Sequence, residues 1–149
     1  MAETGPTVVI TGASSGFGAA AVRAFADRGN RVWGTMRDAE GRNASKKAEL
    51  EAYSPRIAIA EMDVTSDTSV AEGFARILAE GTVDILINNA GIMYIGMTEA
   101  YSVAQAHEQM DTNYFGAIRA MQAVLPSMRE AGSGLIINTS SIAGRVSVP

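Results

Sequence analysis

The sequence predicts an α/β fold: a doubly wound parallel sheet with strands in the order 3-2-1-4-5, right-handed crossovers and helices on both faces. Three observations point there. Five short apolar runs of strand length alternate with stretches of helical spacing. The first run, residues 8–10, leads straight into a glycine-rich turn and then a helix pattern. Later runs break into amides or hydroxyls at their carboxyl ends, where open parallel sheets place ligand contacts.

Composition narrows the function classes. With 149 residues, 47% of them hydrophobic, the chain can bury one core and reads as one domain over residues 1–149. A formal net charge of −4 and the lack of a basic stripe argue against nucleic acid or an anionic membrane as the main partner. There is no cysteine, hence no disulfide, thiolate catalysis or zinc–thiolate centre. The opening MAETGP lacks the charged start and apolar stretch of a secretory signal, and no apolar run nears the roughly 18 residues of a membrane helix. A soluble, cytoplasmic protein is the expectation.

Taken in order, Val8, Val9 and Ile10 form an unbroken apolar run that suits a strand buried on both faces. Gly12, Gly16 and Gly18 follow, and Val22, Phe25 and Ala26 then share one side of a helix. The unpaired N–H groups of a helix's first turn carry partial positive charge, so a pyrophosphate can sit there if side chains leave room. Gly12 is expected to make the tight turn, Gly16 to let phosphates reach the backbone, and Gly18 to let the helix pack on the strand. Ser14 and Ser15 add hydroxyl donors. The spacing G-x-x-x-G-x-G departs from the general G-x-G-x-x-G fingerprint, and no Lys follows as in a P-loop, so a glycine-rich surface turn is the competing reading.

Gly29 should close this helix, and residues 31–36 form a second strand followed by Arg37-Asp38. In a dinucleotide fold an acidic residue at that strand end takes the ribose 2′-OH of NAD, whereas an Arg accommodates the 2′-phosphate of NADP. Arg37 comes first and its fork matches phosphate, which favours NADP over NAD, with Asp38 as a competitor. The alternative is a solvated Arg37 paired with Asp38 or Glu40. Residues 41–53 read as an exposed helix or crossover. Residues 56–62 alternate as a third strand ending at Asp63-Val64. The Asp63 carboxylate could accept from an adenine amine with Val64 against the ring, or simply close a turn.

Thr65 or Ser66 caps a helix running to about Glu80, with Val70, Phe74, Ile77 and Leu78 as its stripe. Residues 83–87 form the fourth strand and break into Asn88-Asn89-Ala90-Gly91. Asn88, Ala90 and Gly91 stand where ligand contacts are expected, although Asn88 could instead tie neighbouring loops together. Ser102 and Gln105 make a capping box for a helix that runs through Asn113 to about Arg129, with Pro126 kinking its end. Asn is a poor former in mid-helix, so Asn113 calls for an explanation. His107, the only histidine, suits a surface position better than catalysis. Met93, Met97, Met110, Met121 and Met128 suit packing. Residues 135–138 form the fifth strand and end in Thr139-Ser140-Ser141, whose hydroxyls point into the same crevice as the glycine turn.

Together these segments resemble the N-terminal part of a short-chain dehydrogenase/reductase. Thr11-Gly12-Ala13-Ser14-Ser15-Gly16-Phe17-Gly18 matches that family's TGxxxGxG loop, Asp63-Val64 its adenine contact and Asn88-Asn89-Ala90-Gly91 its NNAG segment. Asn113 matches its helix-borne catalytic Asn, and Ser141, followed by Ile142-Ala143-Gly144, its catalytic Ser in S-x-x-G. The resemblance implies a Rossmann-type NAD(P)-binding domain and hydride transfer between NADP(H) and a small-molecule carbonyl or alcohol. It implies that Ser141 hydrogen-bonds the substrate oxygen and that Asn113 orders a water in a proton relay. It also implies a homo-oligomer joined through the helix that follows Asn113.

One element of the family pattern is missing. There a Tyr gives or takes the proton and a Lys four residues later lowers its pKa, since an unperturbed Tyr titrates at about 10. Tyr53, Tyr94, Tyr101 and Tyr114 are followed four residues later by Ile57, Thr98, Gln105 and Ile118, and Pro149 lies only eight residues beyond Ser141. The expectation is a cofactor-binding portion of a longer enzyme, truncated before the Tyr-x-x-x-Lys pair and inactive alone, with residues 135–138 left as an apolar sheet edge. A nucleotide-binding or oligomerising module without turnover, or half of a nucleotide-sugar epimerase, are the competing readings.

Overall fold

In a computed structural model that describes residues 5–146, five parallel strands stand in the expected order, β3-β2-β1-β4-β5. They are β1 (Gly5–Thr11), β2 (Asn30–Met36), β3 (Ile57–Glu61), β4 (Ile85–Asn88) and β5 (Leu135–Asn138). The helices are α1 (Gly16–Asp27), α2 (Ala44–Tyr53), α3 (Asp67–Leu78), α4 (Val103–Met110) and α5 (Gly116–Ala131).

The period of two along each strand divides the core into two layers. Val8, Ile10, Val32 and Ile59 face one side and pack with Val22 and Ala26 of α1 and Leu50 of α2. Val9, Trp33, Ala60 and Leu86 face the other, against Val70, Phe74 and Ile77 of α3 and Ala120, Val124 and Met128 of α5. Covering both faces is why the central strands read as unbroken apolar runs. Full burial of a side chain such as Phe74, 1% exposed, removes enough apolar area to contribute about 2 kcal/mol.

Local signals placed most helix starts. Ser66, not Thr65, caps α3 by accepting from the Ser69 N–H at 3.2 Å. Ser102 and Gln105 form the reciprocal capping box of α4. The long helix expected through Asn113 is interrupted: α4 ends at Met110, Asp111–Phe115 makes one π-helical turn, and α5 continues to Ala131 with Pro126 inside it. Among the methionines named above, Met121 and Met128 pack in the core, whereas Met93, Met97 and Met110 are exposed. His107 is exposed on α4. Leu135 and Ile137 are also exposed on the edge strand β5, in line with an apolar edge. No helix among the described residues is long and apolar enough to cross a membrane.

Candidate functional site

β1 lies between β2 and β4, and the chain leaves β1 for α1 on one face of the sheet and β4 for α5 on the other, which opens a crevice at their carboxyl ends. The crevice is a cleft of about 430 Å³ lined by Gly12, Ser14, Ser15, Phe17 and Gly18 of the glycine turn and by Arg37, Asp63, Val64, Ala90 and Gly91 from the ends of β2, β3 and β4. Gly12 has φ +71°, and a Cβ there would fall 2.7 Å from Ala90 Cα. A Cβ on Gly18 would fall 2.2 Å from the Gly12 carbonyl oxygen and 2.6 Å from Asn89 Nδ2. Gly18 therefore lets the start of α1 sit against the backbone just after β1 and against the Asn89 amide. Gly16 stands in open space and lines a smaller hollow on the outer side, beside Arg23 and Lys46. Ser15 precedes α1 without a side-chain capping bond, and the first turn has no acidic residue. The partial positive charge of that helix end is therefore not offset by its cap residue or its first turn.

Thr11 and Asn89 hold the cleft together, a role that the sequence reading missed. Thr11 is 1% exposed, and its Oγ1 accepts from the Asn89 and Ala90 N–H groups, both at 3.0 Å. Asn89 Nδ2 donates to the Thr11 and Gly12 carbonyls at 2.9 and 3.3 Å. The loop-tying role considered for Asn88 thus falls to Asn89. Asn88 instead donates from Nδ2 to Asn138 Oδ1 at 2.8 Å, and its own Oδ1 is buried with no partner among the described residues. Successive residues of an extended chain face opposite ways, which is the signal that could have separated the two amides.

At the other rim, Asp63 Oδ1 accepts from the Thr65 N–H and hydroxyl at 2.9 and 2.8 Å, while Oδ2 lies 4.0 Å from Arg37 Nη1. Asp63 therefore closes its turn and still presents one oxygen toward Arg37. Val64 is buried against Gly116, and its carbonyl accepts from Arg119 Nη1 at 3.1 Å. Arg119 also bonds Asp111 and Asp67, and these carboxylates, Asp111 foremost, raise its pKa. Asp38 does not line the cleft; its Oδ2 accepts from the Arg42 N–H at 3.0 Å. Glu40 pairs with Lys47. Arg42 and Asn43, which carried no expectation, line the cleft beside Arg37.

A second cavity, of about 380 Å³, shares Val64, Asn89, Ala90, Gly91 and Thr112 with the first. Asn88, Asn113, Ser140 and Ser141 line it. On the π turn, Asn113 Oδ1 accepts from the Ile92 N–H and Nδ2 donates to the Ile92 carbonyl, both at 2.8 Å. This paired contact accounts for an Asn where helix propensity disfavours one, and π turns recur at functional sites. Ser141 follows β5, whose ladder is extended by the Thr139 N–H donating to the Asn88 carbonyl at 2.9 Å. On the loop beyond Ile92, the Tyr94 hydroxyl donates to Glu108 Oε2 at 2.6 Å, and that bond raises its pKa. The shift is opposite to what proton transfer near neutrality needs.

A glycine turn, a helix end of positive partial charge and two cavities with a shared wall fit an elongated dinucleotide. The profile described as short chain dehydrogenase matches residues 6–149. Retinol dehydrogenase 8 of Bos taurus is 41% identical over 147 residues, covering 97% of this chain and 47% of that protein. A solved short-chain dehydrogenase from Streptomyces avermitilis superposes with a TM-score of 0.89 at 37% identity, over 99% of this chain and 53% of that one. The NADPH-bound carbonyl reductase from chicken fatty liver gives 0.84 at 29% identity, over 93% of this chain and 60% of that one. The chain spans about half the length of the curated relatives it matches.

Proposed function

The chain belongs to the short-chain dehydrogenase family, and on that premise we propose that it is the cofactor-binding part of an NADP(H)-dependent oxidoreductase acting on a small-molecule carbonyl or alcohol. The observation that carries this reading is that the cavity at the glycine turn and the cavity at Asn113 and Ser141 share the wall made by Val64, Asn89, Ala90, Gly91 and Thr112. When bound, the dinucleotide supplies the hydride chemistry.

The residues of this chain bind and orient. Backbone N–H groups from Phe17 and Gly18 at the start of α1, helped by the Ser14 and Ser15 hydroxyls, would hold the diphosphate, whereas Gly16, expected to join them, lines the outer hollow. Asp63 Oδ2, 4.0 Å from Arg37 Nη1, would accept from the adenine amine, with Val64, Ala90 and Gly91 lining the cofactor's path. Ser141 donates a hydrogen bond to the substrate oxygen, while Asn113 holds the Ile92 turn at the mouth of the second cavity. The chain has no Tyr with a Lys four positions on, so it does not itself contain the proton donor of the family pattern.

NADP is favoured over NAD because Arg37 lines the cleft and Asp38 turns away from it. The chicken carbonyl reductase structure, NADPH-bound by its description, is consistent with this. The name of the bovine relative points to an alcohol, retinol, and that of the chicken enzyme to a carbonyl, which supports the substrate class. The helix from Asn113 to Arg129, with Tyr114 and Leu125 exposed on it, is the element we assign to a homo-oligomer contact.

Calorimetric titration of the chain with NADPH and NADH tests the cofactor assignment. NADPH should bind more tightly, and Arg37→Ala should remove most of that advantage. An NADH preference that survives Arg37→Ala would defeat the assignment. Measurable reduction of any ketone by the 149-residue chain would overturn the account of the missing Tyr.

A further inference from the structure

We propose that Arg119 is a positioning residue: by gripping Asp111 and the Val64 carbonyl together, it holds the turn at Asp111–Phe115 in its π-helical form and so aims Asn113 at Ile92. The inference deepens the proposed function and rests on it for the consequence in cofactor binding, but not for the hold on the turn.

The guanidinium joins three segments. Arg119 lies on α5, and its Nη1 donates to the Val64 carbonyl at 3.1 Å and to Asp111 Oδ1 at 2.8 Å, with the Asp111 carbonyl at 3.5 Å. Its Nε donates to Asp67 Oδ1 at 2.5 Å, on the first residue of α3. The side chain is only 23% exposed, so these charge-assisted bonds are partly shielded from water. A planar fork serves several acceptors at fixed angles, which an ammonium on a flexible stem does not. Gly116 brings the start of α5 close to the same carbonyl, since a Cβ there would fall 2.8 Å from Val64 Cγ2. Val64 and Thr112 line both cavities, so the grip links their shared wall to the turn that carries Asn113.

The hydrogen bonding of the turn shows what the grip selects. The Asp111 carbonyl accepts from the Gly116 N–H, five residues on. In an α-helix its partner would be the N–H four residues on, that of Phe115. A π turn is rare within a helix, so contacts outside the backbone ladder have to favour it. Arg119 supplies them at the residue whose carbonyl makes the π bond. Relaxing the turn to α geometry would rotate everything before it by about 100° relative to α5. Asn113 would then lose its two bonds to Ile92. The same rotation would carry Glu108 and Gln109 of α4 away from Tyr94, whose hydroxyl and N–H they accept from at 2.6 and 2.8 Å.

Amide exchange and ligand titration on the same variants test this. Without ligand, Arg119→Met and Asp111→Ala should each quicken exchange at Gly116 and Ile92 by about ten-fold relative to the amides of β1 and β2. Asp67→Ala frees only α3 and should leave both amides within about two-fold. Asp111→Asn keeps an oxygen for Arg119 Nη1 and should restore most of the protection. In titrations, Arg119→Met should weaken NADPH by about five- to twenty-fold and adenosine 2′,5′-bisphosphate by less than about two-fold, because the bisphosphate has no nicotinamide end to reach Asn113. If Arg119→Met fails to fold, Asp111→Ala and its rescue by Asp111→Asn carry the test. Exchange that quickens evenly over the sheet, or Asp67→Ala matching Asp111→Ala, would overturn the positioning role and leave the proposed function standing. Selective exchange with equal effects on the two ligands would uphold the grip on the turn and count instead against a nicotinamide end placed at Asn113.

Discussion

Two buried threonines, side by side in the sheet, give opposite predictions. Thr11 and Thr35 are register partners on β1 and β2, 1% and 0% exposed. The Thr11 hydroxyl accepts from two backbone N–H groups, whereas the Thr35 hydroxyl has no hydrogen-bond partner among the described residues. Replacing either by Val keeps the shape and removes one oxygen. In Thr11→Val the Asn89 and Ala90 N–H groups lose their acceptor, at about 1–3 kcal/mol each, so the substitution should cost about 2–6 kcal/mol. In Thr35→Val an unpaired buried hydroxyl becomes a methyl, and stability should be unchanged or rise by up to about 1 kcal/mol. Trp33, the only tryptophan and 1% exposed, reports unfolding in a urea titration by its fluorescence. The Thr11→Val midpoint should fall well below that of Thr35→Val, and amide exchange at Asn89 and Ala90 should quicken. Equal midpoints for the two variants would refute the claim that Thr11 fastens β4 to the glycine turn.

Other substitutions probe the same site. Gly18→Ala forces a Cβ to within 2.2 Å of the Gly12 carbonyl oxygen, so it should destabilise the chain by about 1–3 kcal/mol and abolish cofactor binding; NADPH titration with a denaturation curve reads both. Asn113→Ala removes both bonds to Ile92, and because the site is exposed the cost should be only about 1 kcal/mol, with faster amide exchange at Ile92 as the sharper readout. For Tyr94 the hydrogen bond to Glu108 raises the pKa, so its stabilising contribution is present below the ordinary Tyr value and lost as pH rises through the raised one. An absorbance titration should show one phenol ionising earlier in Glu108→Ala, while Tyr53, raised by Asp27, stays where it was.

Much of the fold was legible because local chemistry and topology agree. The strand runs, the Ser102–Gln105 capping box and the glycine turn each depend on neighbours close in sequence, and the sheet order follows from alternating strands and helices. What escaped depends on partners far along the chain. The π turn exists where Asn113 meets the backbone of Ile92, and no helical periodicity reports a bond across 21 positions. Asn89 and Thr11 are 78 positions apart, so their tie showed only as a pair of amides after a strand. Asp38 read as a rival to Arg37 because sequence gives its position in the fold but not the direction of its carboxylate.

The central claim is that the glycine turn and the start of α1 hold a dinucleotide's diphosphate, with its far end directed at Asn113 and Ser141. A crystal structure of the chain with NADP bound tests it most directly. The account predicts the diphosphate within hydrogen-bonding distance of the N–H groups opening α1 and the nicotinamide ring in the cavity lined by Asn113 and Ser141. A diphosphate seated elsewhere, or a nicotinamide directed away from those two residues, would contradict it.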